Sequence, residues 1–155
     1  MNILTPLPYG DALFSAFFGA RAQLLNIERN GDDWGVQVAW EHRAQGDMTS
    51  PVLVHDHAYL FLRSNRFACV PMDGGDGGYI SEPTGDEYMS LIAHGNRILA
   101  LGNSGILRMI RATPERYEVI GEVQLVDGKT WAHLAAAGQQ LFIREENSLH
   151  AFTWK

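Results

Sequence analysis

The sequence has only one cysteine among its 155 residues, so no disulfide can form within the chain. No stretch of it approaches the roughly 18 consecutive apolar residues that a membrane-spanning helix requires. Basic residues are also scarce, with 12 Lys and Arg against 18 Asp and Glu and a net charge of −6. Binding to a phosphate backbone needs clustered basic side chains. These shortages predict no disulfide framework, no membrane span and no nucleic-acid partner.

Helix signals are nearly absent as well. Hydrophobic residues make up 46% of the chain and charged residues 19%, which is typical of a single globular domain. The best helical candidate, DALFSAFFGARAQLL at residues 11–25, is in register with strand-like segments elsewhere in the chain. Because the repeat outweighs local propensity, we expect strands in this stretch.

An internal repeat dominates the sequence. Each copy has a short apolar strand, a two- or three-residue turn and a second apolar strand. The four copies are PLPYGDALFSAF (6–17), VLVHDHAYLFLR (52–63), LIAHGNRILALG (91–102) and LAAAGQQLFIRE (134–145). Their turns are centred on Gly10, Asp56, Gly95 and Gly138, at intervals of 46, 39 and 43 residues. Periods in the forties with several short strands per unit are typical of β-propeller blades.

The rest of each unit agrees with this interpretation. Third strands are predicted at 24–29, 67–72, 106–111 and 149–154, and fourth strands at 35–40, 78–83 and 117–125. We therefore predict an all-β fold, a partial β-propeller of about three and a half four-stranded antiparallel blades. The single propeller-type domain spans 1–155, with approximate repeats 1–47, 48–88, 89–131 and 132–155.

So few blades are not expected to close a ring by themselves, because closed propellers have at least about four. Two interpretations follow. Either two copies close against each other, or the chain is the C-terminal part of a longer propeller.

Three segments, residues 48–70, 88–120 and 130–154, resemble the final blades of PQQ-like β-propeller repeat proteins, in particular uncharacterised bacterial propellers of a type common in planctomycetes. The resemblance implies a periplasmic or extracytoplasmic location. The first residues, MNILTPLPYG, show neither the basic nor the apolar region of an export signal.

The blade signature of that family is A-x-D-x-x-T-G-x-x-x-W. Laid onto this chain, it falls on Cys69, Pro71, Gly74, Gly75 and Tyr79, and only the glycine is kept. The resemblance implies that Tyr79 packs between neighbouring blades, as the tryptophan of the family does.

The most unusual local motif is DGGDGG at residues 73–78. It could be a calcium loop with Asp73 and Asp76 as ligands, or a plain turn between the third and fourth strands of a blade. Calcium requires six to eight oxygen ligands, and this motif occurs once with two carboxylates. We therefore predict a turn whose glycines supply positive φ.

Other candidate functional residues stand alone. His55 and His57 flank a turn without a third ligand at a zinc-like spacing. His133 is predicted to begin the innermost strand of the last blade, facing the channel, with Trp131 packing between blades. Cys69 is expected to be a buried structural residue.

Two acidic pairs, Glu82 with Asp86 and Glu145 with Glu146, are expected to be solvated loop residues rather than the paired carboxylates of a glycosidase. Gly102 to Gly105 link two predicted strands, so we expect a hairpin turn there and no phosphate loop.

No catalytic, cofactor-binding or metal-ligating residue and no cofactor is therefore predicted. The first functional hypothesis is a noncatalytic β-propeller scaffold or binding module, completed by a protein partner or by homo-oligomerisation. The alternative that the resemblance brings is a fragment of a quinoprotein-type oxidoreductase, which would hold pyrroloquinoline quinone and calcium. A carbohydrate-binding or carbohydrate-active propeller is a third possibility.

Overall fold

The computed structural model describes residues 4–154, which form fifteen β-strands in four sheets. Blade 1 contains β1 (Leu7–Tyr9), β2 (Ala12–Ser15), β3 (Arg21–Asn30) and β4 (Asp33–Gln45). Blade 2 contains β5 (Val52–Val54), β6 (His57–Leu62), β7 (Arg66–Pro71) and β8 (Tyr79–Pro83). Blade 3 contains β9 (Met89–His94), β10 (Arg97–Gly102), β11 (Ile106–Arg111) and β12 (Glu118–Gln124). Blade 4 contains β13 (Ala135–Ala137), β14 (Gln140–Arg144) and β15 (Leu149–Thr153).

Every sheet is an antiparallel meander in which strands that are neighbours in sequence are hydrogen-bonded neighbours in space. The predicted all-β fold with three four-stranded blades and a three-stranded last blade is confirmed. No helix occurs in residues 4–154. The stretch that had the best helical composition forms β2 and the beginning of β3.

Blade 1 differs from the other blades in the length of its third and fourth strands. Its third and fourth strands were predicted at 24–29 and 35–40, but they extend over 21–30 and 33–45. They form a long hairpin that turns at Gly31, where φ is +68°. The far end of the hairpin reaches past β2, whose first residue, Ala12, pairs with Asn26. The extra length therefore projects beyond the body of the blade.

Blades are held together by the alternation of side chains along each strand. In β6, Leu60 and Leu62 pack toward blade 1, whereas Tyr59 and Phe61 pack toward blade 3. Both flat sides of the sheet are thus buried, which explains the continuous apolar run AYLFL in the middle of the chain. Burying one such side chain stabilises the fold by about 1.5–3 kcal/mol.

Three separate apolar clusters result, one at each junction between consecutive blades. Phe14 of blade 1 and Val70 of blade 2 belong to the first cluster, and Phe67 and Ile98 to the second. The third is smaller and joins Leu101 of blade 3 to residues of blade 4. Among residues 4–154, no apolar cluster joins blade 4 to blade 1. The described residues therefore form an open arc.

Hydroxyl groups add a polar link near the start of the inner strands. The Thr5 amide donates to Ser50 Oγ at 3.1 Å, and the Thr49 hydroxyl donates to the Met89 carbonyl. The Leu134 amide donates to Ser90 Oγ at 2.8 Å. Each bond crosses from one blade to the next, so the arc is tied at its narrow inner side.

The inner hairpin turns show how the sequence repeat matches the backbone. Gly10, Gly95 and Gly138 are the first residues of two-residue turns, and each has a φ of +56°. The turn of blade 2 is therefore not centred on Asp56 as predicted, because the equivalent residue is His55, with a φ of +52°. Left-handed backbone favours glycine, since a Cβ costs about 1–2 kcal/mol there.

We expect His55→Gly to raise the free energy of unfolding by up to about 1 kcal/mol, because it removes the Cβ from a left-handed position. Denaturant unfolding followed by circular dichroism measures the change. Gly95→Ala is the matched control and should destabilise by a similar amount. A Cβ at Gly95 meets no atom within 4 Å, so its effect reports backbone conformation alone. A destabilising His55→Gly would contradict the equivalence of the two turns.

We expect Ser90→Ala to destabilise the protein by about 1–3 kcal/mol, because the Leu134 amide would lose its acceptor in a buried position. Thermal or denaturant unfolding measures the loss. Ser64→Ala, in an exposed turn of blade 2, should change stability by less than about 0.5 kcal/mol. Equal effects of the two substitutions would show that the bond between blades 3 and 4 contributes nothing.

Candidate interaction surfaces

The DGGDGG loop connects β7 to β8 and is a turn, as predicted. Positive φ occurs at Gly74 (+77°) and Gly78 (+80°), and not at Gly75, the residue that the family signature singles out. Asp73 Oδ1 accepts a 2.9 Å hydrogen bond from the Gly75 amide, which closes the turn. A Cβ at Gly74 would lie 2.7 Å from the Trp40 ring of blade 1. The loop is therefore shaped by packing against the neighbouring blade.

A cleft of about 350 Å³ lies between this loop and β4. Its lining includes His42 of β4 and Cys69 of β7. Burial lowers the pKa of His42, with Arg43 contributing, and its Nδ1 accepts a hydrogen bond from the Ala44 amide at 3.2 Å. Burial raises the pKa of Cys69 to about 11, although a hydrogen bond with Tyr59 opposes the shift. The thiol therefore stays protonated near neutral pH and is a poor nucleophile.

Tyr79 lies in the place of the family tryptophan. It is partly buried and packs against the cluster between blades 2 and 3, as the resemblance implies. Burial raises its pKa, and its hydroxyl has no hydrogen-bond partner among the described residues. Tyr79 is therefore part of the packing between blades.

The prediction that Asp86 is a solvated loop residue is wrong. Its carboxylate is buried, accepts a 2.8 Å hydrogen bond from the Ser104 hydroxyl and forms a 2.5 Å ion pair with Arg108. Arg108 also contacts Glu122 at 3.4 Å. A Cβ at residue 102 would lie 2.1 Å from Asp86 Oδ1, so a larger residue there would displace the carboxylate. This network fixes the connection between blades 2 and 3 onto blade 3, and it is structural.

We expect Asp86→Asn to destabilise the protein by about 3–5 kcal/mol, because the Arg108 charge would be left without its buried partner. Urea unfolding measures the loss. Glu82→Gln is the matched control, since Glu82 is exposed and lies 3.5 Å from Arg66; its loss should cost less than about 1 kcal/mol. A cost for Asp86→Asn as small as that of the control would show that the buried pair does not stabilise the fold.

The two residues of the second acidic pair, Glu145 and Glu146, also have different surroundings. Glu146 is exposed, but Glu145 binds the Ser148 hydroxyl at 2.6 Å and His150 Nε2 at 2.9 Å. The Ser148 hydroxyl lowers the pKa of Glu145 most, and the bond with His150 adds to the effect. Ser148 and Glu145 contact the same nitrogen of His150, so the imidazole cannot relay a proton between them as in a catalytic triad.

The last blade begins differently from the prediction. His133 lies in an exposed position before β13, not in it, with Nδ1 3.4 Å from Ser90 Oγ. Trp131 is half exposed and packs against Tyr88 at a centroid distance of 5.7 Å. Trp131 therefore packs between blades 3 and 4, as expected.

His55 and His57 remain apart from other metal-ligating side chains. Within residues 4–154, no three His, Cys, Asp or Glu side chains converge as metal ligands would. No helix in this part of the chain has the length and apolarity of a membrane span. Two exposed sheet faces, one at each end of the arc, are the remaining candidates for a functional site among the described residues.

The first surface is the side of blade 1 that faces away from blade 2. We call it the blade 1 face, and it consists of Leu13, Leu25, Ile27, Trp34, Val36 and Val38. Strand pairing places these residues on one side, because Leu25 pairs with Leu13 and Val38, and Ile27 pairs with Val36. Trp34, Val36 and Val38 are 67%, 60% and 52% exposed. This concentration of exposed apolar side chains on one sheet face is typical of an interaction site.

The inner part of this face occupies core positions of the repeat. Leu13 lies three residues after the first turn residue and pairs with Leu25 on the next strand. The equivalent pairs are Ala58 with Val70 in blade 2 and Ile98 with Ile110 in blade 3, and all four residues are 0% exposed. Leu13 and Leu25 are only partly buried, because no described blade lies over them.

The second surface is the side of blade 4 that faces away from blade 3. We call it the blade 4 face. Its apolar residues are Ala135, Ala137, Phe142, Leu149 and Ala151, and strand register places Gln140, Arg144 and Thr153 on the same side. Leu149 pairs with Arg144 and is 72% exposed. The equivalent pair in blade 2 is Phe67 with Phe61, and both are 0% exposed. The blade 4 face therefore also presents positions that other blades bury.

Sequence reasoning identified the strands of these surfaces but not the surfaces themselves. The alternation of Trp34, Val36 and Val38 with small or polar residues was a sufficient signal for an apolar strand face. The same alternation also occurs in strands that a neighbouring blade covers, so the sequence did not show which faces are open.

No protein-family profile matches the sequence, and no curated protein matches it either. Solved structures with the same fold do match. BamB from Moraxella catarrhalis aligns over 96% of this chain and 43% of its own, with 10% identity and a TM-score of 0.70. The computationally designed Ika8 protein aligns over 96% of this chain and 45% of its own, with 8% identity and a TM-score of 0.72. The Myceliophteria thermophila Cps50 (Swd1) β-propeller domain aligns over 94% and 52%, with 16% identity and a TM-score of 0.67.

These similarities establish the architecture. The chain is a partial β-propeller, and it spans less than half the length of BamB and Ika8. At identities of 16% or below, they concern the fold alone. The finer resemblance to PQQ-like repeats stays a prediction.

Proposed function

We propose that this protein is a noncatalytic binding module whose partner covers the blade 1 face and continues the ring of blades. The observation that carries the proposal is the exposure of Trp34, Val36 and Val38 on one side of a hairpin. Fully burying side chains of this size contributes about 1.5–3 kcal/mol each, so covering them would supply a large part of a binding free energy.

The hairpin is suited to this role by its shape. Its other side carries polar residues such as Asn26 and Gln37, which pair with each other and are exposed. Arg29 lies over the Trp34 ring, with its guanidinium carbon 5.9 Å from the ring centroid, and supports the ring at the tip. The apolar side thus has a defined boundary, and the opposite side of the hairpin is polar.

The partner can be another protein or a second copy of the chain, since both can present an apolar sheet face. Catalysis is not part of the proposal, because the histidine, cysteine and carboxylate groups of the described residues are separated or engaged in structural bonds. The quinoprotein alternative has no specific observation in its favour.

Site-specific photocrosslinking tests the proposal in the cells that make the protein. We expect p-benzoylphenylalanine in place of Val36 to give a discrete covalent adduct on irradiation, because the side chain would lie in the interface. The same replacement of Gln37 is the matched control. Gln37 is exposed on the opposite side of the same strand and should give no adduct. Adducts at both positions, or at neither in the folded protein, would overturn the proposal.

A further inference from the structure

We propose that the partner is a second copy of this chain, and that the blade 4 face of each copy docks on the blade 1 face of the other. This inference rests on the proposed function, which it makes specific. The product would be a closed ring of eight blades with two identical junctions between chains.

The first reason is that the two faces are the two halves of one junction. In the described arc, each junction joins two sheet sides. One is the side of a blade that faces the next blade in sequence, and the other is the side of that next blade that faces the preceding one. Tyr59 of blade 2, for example, packs in the cluster that contains Ile98 of blade 3. By strand register, Phe142 is the equivalent of Tyr59 and Leu13 is the equivalent of Ile98. The blade 4 face therefore has the pattern that fits a blade 1 face.

The second reason is the size of the side chains. The blade 1 face carries the bulky side chains Leu13 and Leu25, whereas three of the five apolar residues on the blade 4 face are alanines. Similar combinations occur inside the arc, where Ala58 and Ala68 lie in the same cluster as Phe14 and Leu24. Alternation of large and small residues across a junction allows the two sheets to approach closely.

The third reason is closure. A head-to-tail contact gives a ring only if the rotation between copies closes, and otherwise gives an open filament. The arc aligns with 43%, 45% and 52% of the BamB, Ika8 and Swd1 propeller chains, at TM-scores of 0.67 to 0.72. One more copy of an arc that corresponds to about half of such a chain would complete the ring that we propose. In a ring of two copies, the blade 1 face and the blade 4 face of each chain would both be covered.

Solution mass tests the inference, measured by light scattering after size exclusion. We expect the wild-type chain to have twice the 17.2 kDa mass of the monomer. Leu149→Glu should reduce the mass to that of one chain, because a charged side chain would replace an apolar one at a position that the junction buries. Leu149 is 72% exposed in the single chain, so the substitution should leave the fold intact. Val123→Glu, at an exposed position of β12 outside both faces, is the control and should keep the double mass.

A mixing experiment tests the head-to-tail arrangement. Leu25→Glu damages only the blade 1 face and should also give single chains; Val38→Glu, at a more exposed position of the same face, replaces it if Leu25→Glu fails to fold. Mixing Leu149→Glu with the blade 1 variant leaves one intact junction per pair, so we expect the double mass to return. A contact between two blade 1 faces would instead leave Leu149→Glu dimeric by itself.

A wild-type mass of one chain, a larger polymer, or a dimer that survives Leu149→Glu would each overturn the second-copy proposal. The proposed function would fail in a different way. If the chain is monomeric but the Val36 crosslink joins it to another protein or to further blades of a longer chain, the blade 1 face is still a binding surface. If no crosslink forms either, both proposals are wrong.

Discussion

Each blade of this protein is a sheet with two flat sides, and the burial of apolar side chains on those sides is the interaction on which the rest of the structure depends. A sheet of three or four short strands has little stability by itself, because one layer cannot exclude water from its own faces. Blades 2 and 3 are covered on both sides, and the two middle strands of blade 2 consist almost entirely of buried residues. Stability therefore depends on stacking, as in other repeat proteins.

The polar groups follow from this constraint. Near the start of the inner strands, the hydroxyls of Ser50, Thr49 and Ser90 supply hydrogen-bond partners for backbone groups of a neighbouring blade. The bonds of Thr49 and Ser90 are buried. The ion pair of Asp86 and Arg108 has a similar task on the connection into blade 3. Such groups resemble a functional cluster in composition. Their contacts show that they hold the backbone in place.

The same constraint gives the ends of the arc their importance. The positions that bury leucine, isoleucine and phenylalanine inside the arc carry Leu13, Leu25, Phe142 and Leu149 at its ends, where no described blade covers them. An apolar side chain at an uncovered core position retains its tendency to be buried. The binding that we propose would thus continue the folding contacts that hold the blades together.

The sequence by itself determined the secondary structure and the repeat. Alternating apolar residues and glycine turns are local properties, so the blades, the hairpin of Gly102 to Gly105 and the turn at DGGDGG could be predicted. The shift from Asp56 to His55 was missed because a histidine in a left-handed position has no composition signal. The lengthened hairpin of blade 1 was missed because the repeat suggested equal blades.

Only the tertiary structure decided which side chains are covered. Asp86 was expected to be solvated, because the sequence cannot show that Arg108, 22 positions away, lies against it. Val36 and Val38 alternate as covered strands do, and Leu149 stands in a strand like Phe67, yet their exposure differs because burial depends on the next blade. Local pattern fixes how a strand forms, whereas the neighbours in space fix whether its face is core or surface.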